Sequence, residues 1–157
     1  MNFRTISAVL TGLLAITQFS ATAHAALAEK CFKSNYDYEL YLKYGDETPP
    51  DPDDVETKSQ EEYEILEDAH FHGAARKKGI TINVDHTTSG GKIISNASRS
   101  STPSGEKRYV WGSNMPSTTG EYTSNAGAPG TYRNIQLTVT DPVCQIEEST
   151  QVRIYSQ

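Results

Sequence analysis

Apolar and polar side chains alternate along the first patterned stretch of the chain, between positions 36 and 44. The apolar positions of this alternation are Tyr36, Tyr38, Leu40, Leu42 and Tyr44. A period of two is typical of a β-strand with one buried face. We therefore predict a strand that ends at Gly45, followed by a proline-rich irregular loop over residues 46–54.

The period changes to that of a helix after Ser59. Ser59 and Glu62 match a capping box, in which the serine oxygen accepts a hydrogen bond from a backbone N–H of the first turn. Tyr63, Leu66 and Ala69 then recur on one helical face. Acidic residues crowd the start of this segment and basic residues its end, which suits the helix dipole. The pattern predicts one helix, ending at either Gly73 or Gly79.

Short strands and turns follow from residue 80 to the end of the chain. We predict strands at 80–85, 92–96, 109–111 and 135–139, a further short strand at Tyr122, and a last strand or hairpin at 144–155. Loops are predicted at 87–91 and 97–105. One strand, one helix and then several antiparallel strands indicate an α+β fold, with a single α-helix packed on a twisted antiparallel β-sheet.

Residues 1–25 have the features of a secretory signal peptide. A positive charge at Arg4 precedes an apolar run at 6–16, and Ala23-His24-Ala25 forms a small-x-small cleavage site. A membrane anchor is the alternative, but the run is short for a transmembrane helix. We predict a secreted, extracellular protein whose residues 26–157 form a single domain.

The two cysteines, Cys31 and Cys144, lie near the two ends of this domain. In an exported chain they predict one disulfide, which would contribute roughly 4–5 kcal/mol in the chain-entropy treatment. Asn96-Ala97-Ser98 is a glycosylation sequon. The acidic loop lacks the ligand spacing of a calcium-binding loop, and the sequence indicates no metal and no cofactor.

Charge is segregated along the chain. Residues 26–75 carry four basic and fourteen acidic side chains, a net charge of −10, whereas residues 76–108 carry a net charge of +5. An acidic protein is a poor indiscriminate ligand for nucleic acid, because phosphate binding requires neutralising charge. A local basic face would still serve RNA, and solvated surface is the alternative.

The stretch from Lys107 to Thr140 carries a resemblance to a known family. It contains Tyr109-Val110-Trp111, Gly120-Glu121-Tyr122 and Ala128-Pro129-Gly130, and Arg133 leads its last strand. With the strand at 143–150, this order resembles the fungal guanyl-specific ribonucleases of the T-one and N-one type. The likeness covers about residues 83–150 and implies a microbial-ribonuclease-like fold.

Enzymes of this family cleave RNA by attack of the 2′-hydroxyl on the adjacent phosphate, with an acid–base pair and an arginine that stabilises the phosphorane. The resemblance assigns these roles to His86 and Arg133. Val110 stands where the family has its catalytic glutamate and Ser149 where it has its last histidine, so two central groups are replaced. Glu147 shares a strand face with Ser149 and is a candidate substitute.

The family resemblance therefore implies a catalytically inactive protein, similar to the ribonuclease-like secreted effectors of plant-pathogenic fungi. Such a protein would be a monomer that enters a host and promotes virulence by binding RNA, including ribosomal RNA, or host proteins. The RNA-binding residues would be two cations that contact phosphates and three aromatic side chains that stack on bases: Lys107, Arg108, Tyr109, Trp111 and Tyr122.

Two alternatives remain open at this point. One is an active secreted endoribonuclease in which His86 and Glu147 form the acid–base pair. The other is a disulfide-stabilised protein-binding effector or toxin with no nucleic-acid role. If the family's site is kept, His86 and Arg133 should lie side by side in one cleft, completed by Val110 and Ser149.

Overall fold

A computed structural model of the chain describes residues 27–57 and 59–156; the predicted signal peptide lies outside these residues. The described chain is α+β, with one disulfide, two α-helices and two antiparallel β-sheets. The helices are α1 (Asn35–Tyr44) and α2 (Gln60–His72). The strands are β1 (Asp85–Ser89), β2 (Lys92–Asn96), β3 (Arg108–Trp111), β4 (Met115–Ser117), β5 (Glu121–Asn125), β6 (Tyr132–Asp141) and β7 (Ile146–Tyr155).

Helix α1 replaces the strand predicted at 36–44, so that prediction is wrong. The side chain of Ser34 caps the helix by accepting a hydrogen bond from the N–H of Asp37. The helix buries Asp37, Leu40 and Tyr41, which recur at helical spacing, and leaves Leu42 56% exposed. The buried face therefore contains a carboxylate, which the alternation of apolar residues placed on the exposed side.

Helix α2 begins where the capping pattern predicts it. Ser59 is the N-cap residue, and its oxygen accepts a hydrogen bond from the N–H of Glu62 at 3.1 Å. The helix ends before Gly73, whose φ of +81° is a conformation that glycine adopts at low cost. Of the two predicted ends, Gly73 is confirmed and Gly79 is wrong.

The three-stranded sheet has the order β1-β2-β5. Its first two strands form a hairpin closed by Gly90 and Gly91, both with positive φ. Residues 87–89 are therefore in a strand, and the predicted loop at 87–91 is too long. The strand predicted at 80–85 is wrong: only its last residue, Asp85, belongs to β1, and Thr81 makes an isolated bridge to Ser101. The alternating apolar side chains of this segment still pack against the core.

The four-stranded sheet has the order β4-β3-β6-β7. The strands predicted at 109–111 and 135–139 are confirmed as parts of β3 and β6, and the one at 92–96 is confirmed as β2 of the other sheet. Strands β6 and β7 pair without interruption from Tyr132 and Tyr155 to Asp141 and Ile146.

The main hydrophobic core lies between the two sheets. Its buried members come from β2 and the residue after it and from β3, β6 and β7: Ile93, Ala97, Tyr109, Trp111, Leu137, Val139, Val152 and Ile154. Neither α1 nor α2 supplies a residue to this core. The predicted arrangement of one helix packed on one sheet is therefore wrong, although the α+β class is confirmed.

The disulfide between Cys31 and Cys144 is confirmed, with the two Cα atoms 5.3 Å apart. Around it lies a second buried cluster with Leu27, Phe32 and Tyr41. This cluster connects the N-terminal segment and α1 to the turn before β7. No helix in the described part of the chain is long and apolar enough to cross a membrane.

Candidate functional site

The residues assigned by the resemblance divide between two sheets and two faces. Val110 on β3 pairs with Thr138 on β6, which pairs with Ser149 on β7, so the three side chains form one row on the outer face of the four-stranded sheet. The hydroxyl oxygens of Thr138 and Ser149 lie 2.7 Å apart. Thr138, and not Arg133, therefore lies between Val110 and Ser149 in this row.

Arg133 lies on the opposite face of the same sheet. Side chains alternate between the two faces along a strand, so Arg133 is on the same face as Ile135, Leu137 and Val139, which face the core. Arg133 is also five residues from Thr138, about 17 Å along the strand. Its guanidinium donates a hydrogen bond to the backbone oxygen of Asn125 on β5. Arg133 thus connects the two sheets at the end of the core.

His86 lies on β1 of the three-stranded sheet, where it pairs with Ser95. Its Nδ1 is 2.9 Å from the hydroxyl oxygen of the buried Ser95. No hydrogen bond or ion pair connects His86 with Arg133 or Glu147 in the described residues. The expected cleft, with His86 beside Arg133 and with Val110 and Ser149 completing it, is therefore not formed.

Glu147 is one row away from Ser149 on the outer face. It pairs with Thr140, which pairs in turn with Arg108. An apolar side chain and two neutral hydroxyls occupy the neighbouring row of Val110, Thr138 and Ser149, and none of them is a general acid or base at neutral pH. In these two described rows, Glu147 is therefore the one carboxylate, and no second acid–base group accompanies it.

The aromatic residues assigned to RNA stacking belong to the core. Tyr109 and Trp111 are 4% and 1% exposed, and burial raises the pKa of the Tyr109 phenol. Tyr122 is half-buried and stacks on the Trp111 ring, with ring centroids 5.4 Å apart. Stacking on a base requires a free ring face, so these side chains are poorly placed for it.

The two cations assigned to phosphate contact differ from each other. The Lys107 Nζ donates to the backbone oxygens of Ser98 and Ser100, at 3.0 and 2.8 Å, and so holds the loop before β3. Arg108 is exposed on the outer face of the sheet. Arg108 is thus better placed than Lys107 to meet a ligand.

Asn96 of the glycosylation sequon is the last residue of β2 and is half-buried. Its amide nitrogen donates to Glu121, and its oxygen accepts from the N–H of Ser98 at 2.8 Å. Both ends of the amide are therefore engaged within the fold.

A buried carboxylate that the sequence patterns did not reveal joins α1 to the end of α2. Asp37 is fully buried, and it accepts hydrogen bonds from the side chains of Ser34 and His72 and from the N–H and Nε of Arg76. Burial by itself would raise the pKa of Asp37, but the hydrogen bonds from His72, Ser34 and Arg76 outweigh it and hold the pKa well below its ordinary value. The sequence contained one indication of this buried carboxylate, namely the helical spacing of Asp37 with Leu40 and Tyr41.

A groove of about 450 Å³ lies between the end of α1 and the start of α2, on the acidic part of the chain. Its apolar lining includes Val55 and Ile65, which are 39% and 57% exposed. The carboxylates of Glu56 and Glu61 line it as well, with one lysine, Lys43. Ile65 lies beside the apolar face of α2 and not on it. In the sequence, this apolar residue outside the buried face was the one indication of the groove.

In the described ranges, no group of three or more histidine, cysteine, aspartate or glutamate side chains is placed to hold a metal ion. Comparisons of the chain with protein-family models, with curated proteins and with solved structures found no match. The geometry of the described residues is therefore the basis for a functional proposal.

Proposed function

We propose that this is a secreted, disulfide-stabilised binding protein without catalytic activity, which engages a partner protein through the groove between α1 and α2. The groove combines exposed apolar side chains with carboxylates, and this observation carries the proposal. Exposed apolar side chains with a polar rim are typical of protein-interaction sites.

The absence of catalysis is supported by the outer face of the four-stranded sheet. Val110, Thr138 and Ser149 form its central row and include no acid–base group. His86 is in the other sheet, and Arg133 faces the core side. Val110 and Ser149, the two replaced positions, share one row. His86 does not lie beside Arg133, however, so the ribonuclease resemblance supplies only part of the arrangement that it implies.

A protein partner is favoured over RNA because several of the basic side chains in the described residues already have partners within the fold. Lys107 binds backbone oxygens, and Arg133 binds Asn125. Ion pairs engage three further cations, Arg76, Lys77 and Arg99. Phosphate binding would have to break these contacts first, which lowers its net gain.

The lining of the groove defines the kind of partner that fits. Val55 and Ile65 offer a surface for one or two apolar side chains, and Glu56 and Glu61 attract cations beside them. The matching ligand is an apolar side chain flanked by lysine or arginine, on a helix or an extended segment. The resemblance to secreted effectors points to a host protein as the source of that segment.

Fluorescence polarisation with synthetic peptides tests this proposal. The probes are a peptide with leucine and phenylalanine flanked by lysines and arginines, and the same peptide with glutamates in place of the cations. We expect the basic peptide to bind more tightly. Ile65→Ala should weaken its binding about tenfold, because this truncation removes apolar contact area without changing the charge of the groove. Binding should decrease with added salt, since surface charges are screened.

The control variant is Phe71→Ala, because Phe71 is 81% exposed on the same helix and does not line the groove. It should leave peptide affinity unchanged. Equal affinity for the basic and acidic peptides, or equal loss in the Ile65 and Phe71 variants, would contradict the proposal.

Guanine-containing RNA provides the opposing arm of the experiment. Salt-dependent RNA binding that is lost in Arg108→Ala would support an RNA-binding protein instead. A 2′,3′-cyclic phosphate product that disappears in His86→Ala or Glu147→Ala would show that the protein is an active endoribonuclease. Either result would overturn the non-catalytic, protein-binding proposal.

A further inference from the structure

Strand β7 forms one edge of the four-stranded sheet. It is ten residues long, and its only strand partner in the described chain is β6. Its central residues, from 147 to 151, are all exposed. An uncovered edge strand of this length is a template for pairing with another strand.

The hydrogen bonds around β6 show which backbone groups of β7 face this open edge. The N–H of Ser156 donates to the oxygen of Thr131 at 2.9 Å, in the register of the β6–β7 pair. On the other side of β6, the N–H of Gly112 donates to the oxygen of Gln136 at 2.7 Å. Because backbone groups alternate in direction along a strand, even-numbered residues of β7 face β6, and odd-numbered residues from 147 to 155 face the open edge.

The open edge is complementary to itself. In an antiparallel pair of two β7 strands centred on Thr150, Glu147 of each copy is opposite Arg153 of the other, and Ser149 is opposite Gln151. All four of these residues direct their backbone groups to the edge, so both pairs are hydrogen-bonded ones. Their side chains share the outer face, where the Arg153 guanidinium lies 4.8 Å from the Tyr132 ring.

Other registers lose this match. A shift of one residue would place residues that face the edge opposite residues that face away from it, and the backbone hydrogen bonds could not form. A shift of the partner strand by two residues keeps the backbone hydrogen bonds, but it places Glu147 opposite Gln151 or Tyr155. Both Glu147–Arg153 pairs are then lost. Opposite charges across a strand pair stabilise it, and they select one register here.

We propose that β7 pairs with β7 of a second copy of this chain, around a two-fold axis at Thr150, and joins the two four-stranded sheets into one. The interface is isologous, as in most two-fold dimers. Edge pairing buries less surface than the roughly 1,200 Å² of a stable interface, so the dimer is weak and depends on concentration. It lies apart from the groove between α1 and α2 and does not depend on the function proposed for it.

Sedimentation of the purified protein over a range of concentrations tests this proposal. The wild type should show a reversible monomer–dimer equilibrium. Glu147→Arg or Arg153→Glu alone should weaken the dimer about tenfold or more, since each places like charges opposite each other twice. The double variant Glu147→Arg/Arg153→Glu should restore it, because the pairs are reciprocal.

Control variants with charge reversals at other exposed sites are Glu67→Arg on α2 and Lys92→Glu on β2, which should leave the equilibrium unchanged. A protein that stays monomeric at every concentration would overturn the proposal. So would a double variant that dimerises no better than the single ones.

A cross-linking experiment tests the register itself. In the proposed register, Thr150 lies directly opposite Thr150 of the second copy. This is a non-hydrogen-bonded pair, the kind in which the Cα atoms of an antiparallel ladder are closest. Thr150→Cys should therefore form an intermolecular disulfide under mild oxidation, whereas Ser149→Cys, which faces Gln151, should not. Equal cross-linking of the two variants, or none in either, would contradict this register.

Discussion

The helical part of the molecule, residues 27–79, and the sheet part, residues 80–156, each hold one fully buried carboxylate, and the two are stabilised differently. Asp37 in the helical part accepts hydrogen bonds from the side chains of Arg76, His72 and Ser34 and from one backbone N–H. These donors lie on three separate segments. Asp37 therefore holds α1 to the end of α2.

Asp141 in the sheet part has only neutral donors. Its carboxylate accepts hydrogen bonds from the hydroxyl and N–H of Ser104, at 2.6 and 2.8 Å, and from the N–H groups of Val143 and Cys144, both at 3.0 Å. Burial would raise the pKa of Asp141, but these hydrogen bonds outweigh it and lower the pKa. Asp141 thus shapes the turn that carries the disulfide.

This difference follows from the amount of apolar core in each part. Buried side chains from both sheets hold the sheet part together. In the described helical part, the small cluster around Cys31, Phe32 and Tyr41 is joined by a few buried side chains outside it (Leu40, Leu66 and Ala69), so polar contacts and the disulfide carry more of its stability. We infer that the helical part is the less stable of the two.

Removing the disulfide should have the largest effect. Cys31→Ser with Cys144→Ser removes a cross-link that spans 113 residues, and the free energy of unfolding should fall by about 4 kcal/mol. Urea denaturation measures this loss. Hydrogen exchange should accelerate more in α1 and α2 than in β6 and β7, and uniform acceleration would refute the stability difference between the two parts.

Truncation of a buried leucine should have the next largest effect, and it should destabilise the protein more in the sheet part than in the helical part. Leu137→Ala, in the main core, should cost about 3 kcal/mol, because a cavity opens in a packed site. Leu66→Ala, on α2 and outside both clusters, should cost about half as much. Chemical denaturation of the two variants decides this; an equal or larger loss at Leu66 would show that α2 is as firmly packed as the sheets.

Acid should destabilise both parts. The folded-state pKa values of Asp37 and Asp141 are lowered, so each group contributes stability above its unfolded pKa of about 3.9. That stability is lost as the pH decreases below about 4 toward each lowered pKa. Thermal unfolding between neutral pH and pH 2 should show this loss, and Asp37→Asn should reduce it. The same acid dependence in wild type and variant would contradict the role of Asp37.

Amide replacement should give the smallest and most selective effects. In Asp37→Asn, the amide oxygen can keep the contacts with His72 and Arg76, and Ser34 can accept from the amide nitrogen. In Asp141→Asn, the amide nitrogen faces the N–H of Ser104. Both groups are donors, so that hydrogen bond is lost. We expect a cost of about 2 kcal/mol for Asp141→Asn and about 1 kcal/mol for Asp37→Asn, measured by thermal unfolding at neutral pH. The reverse order would indicate that the charge of Asp37 dominates.

The sequence by itself determined the features that depend on local patterns. Ser59 starts α2 because a capping oxygen needs only the next turn of the chain. The strands around Ile93, Val110 and Leu137 follow from short apolar alternations bounded by turn residues. The cysteine pair followed from the presence of two cysteines in a chain with a predicted export signal.

The tertiary structure decided the features that depend on distant partners. The alternation at 36–44 is compatible with a strand, but Asp37 meets His72 and Arg76, which are 35 and 39 residues away, only when this segment is a helix. The pairing of β3, β6 and β7 placed Thr138 rather than Arg133 between Val110 and Ser149. Periodicity assigns a residue to a face, whereas register depends on how separate strands pair, so the row that would carry the chemistry could not be found from the sequence.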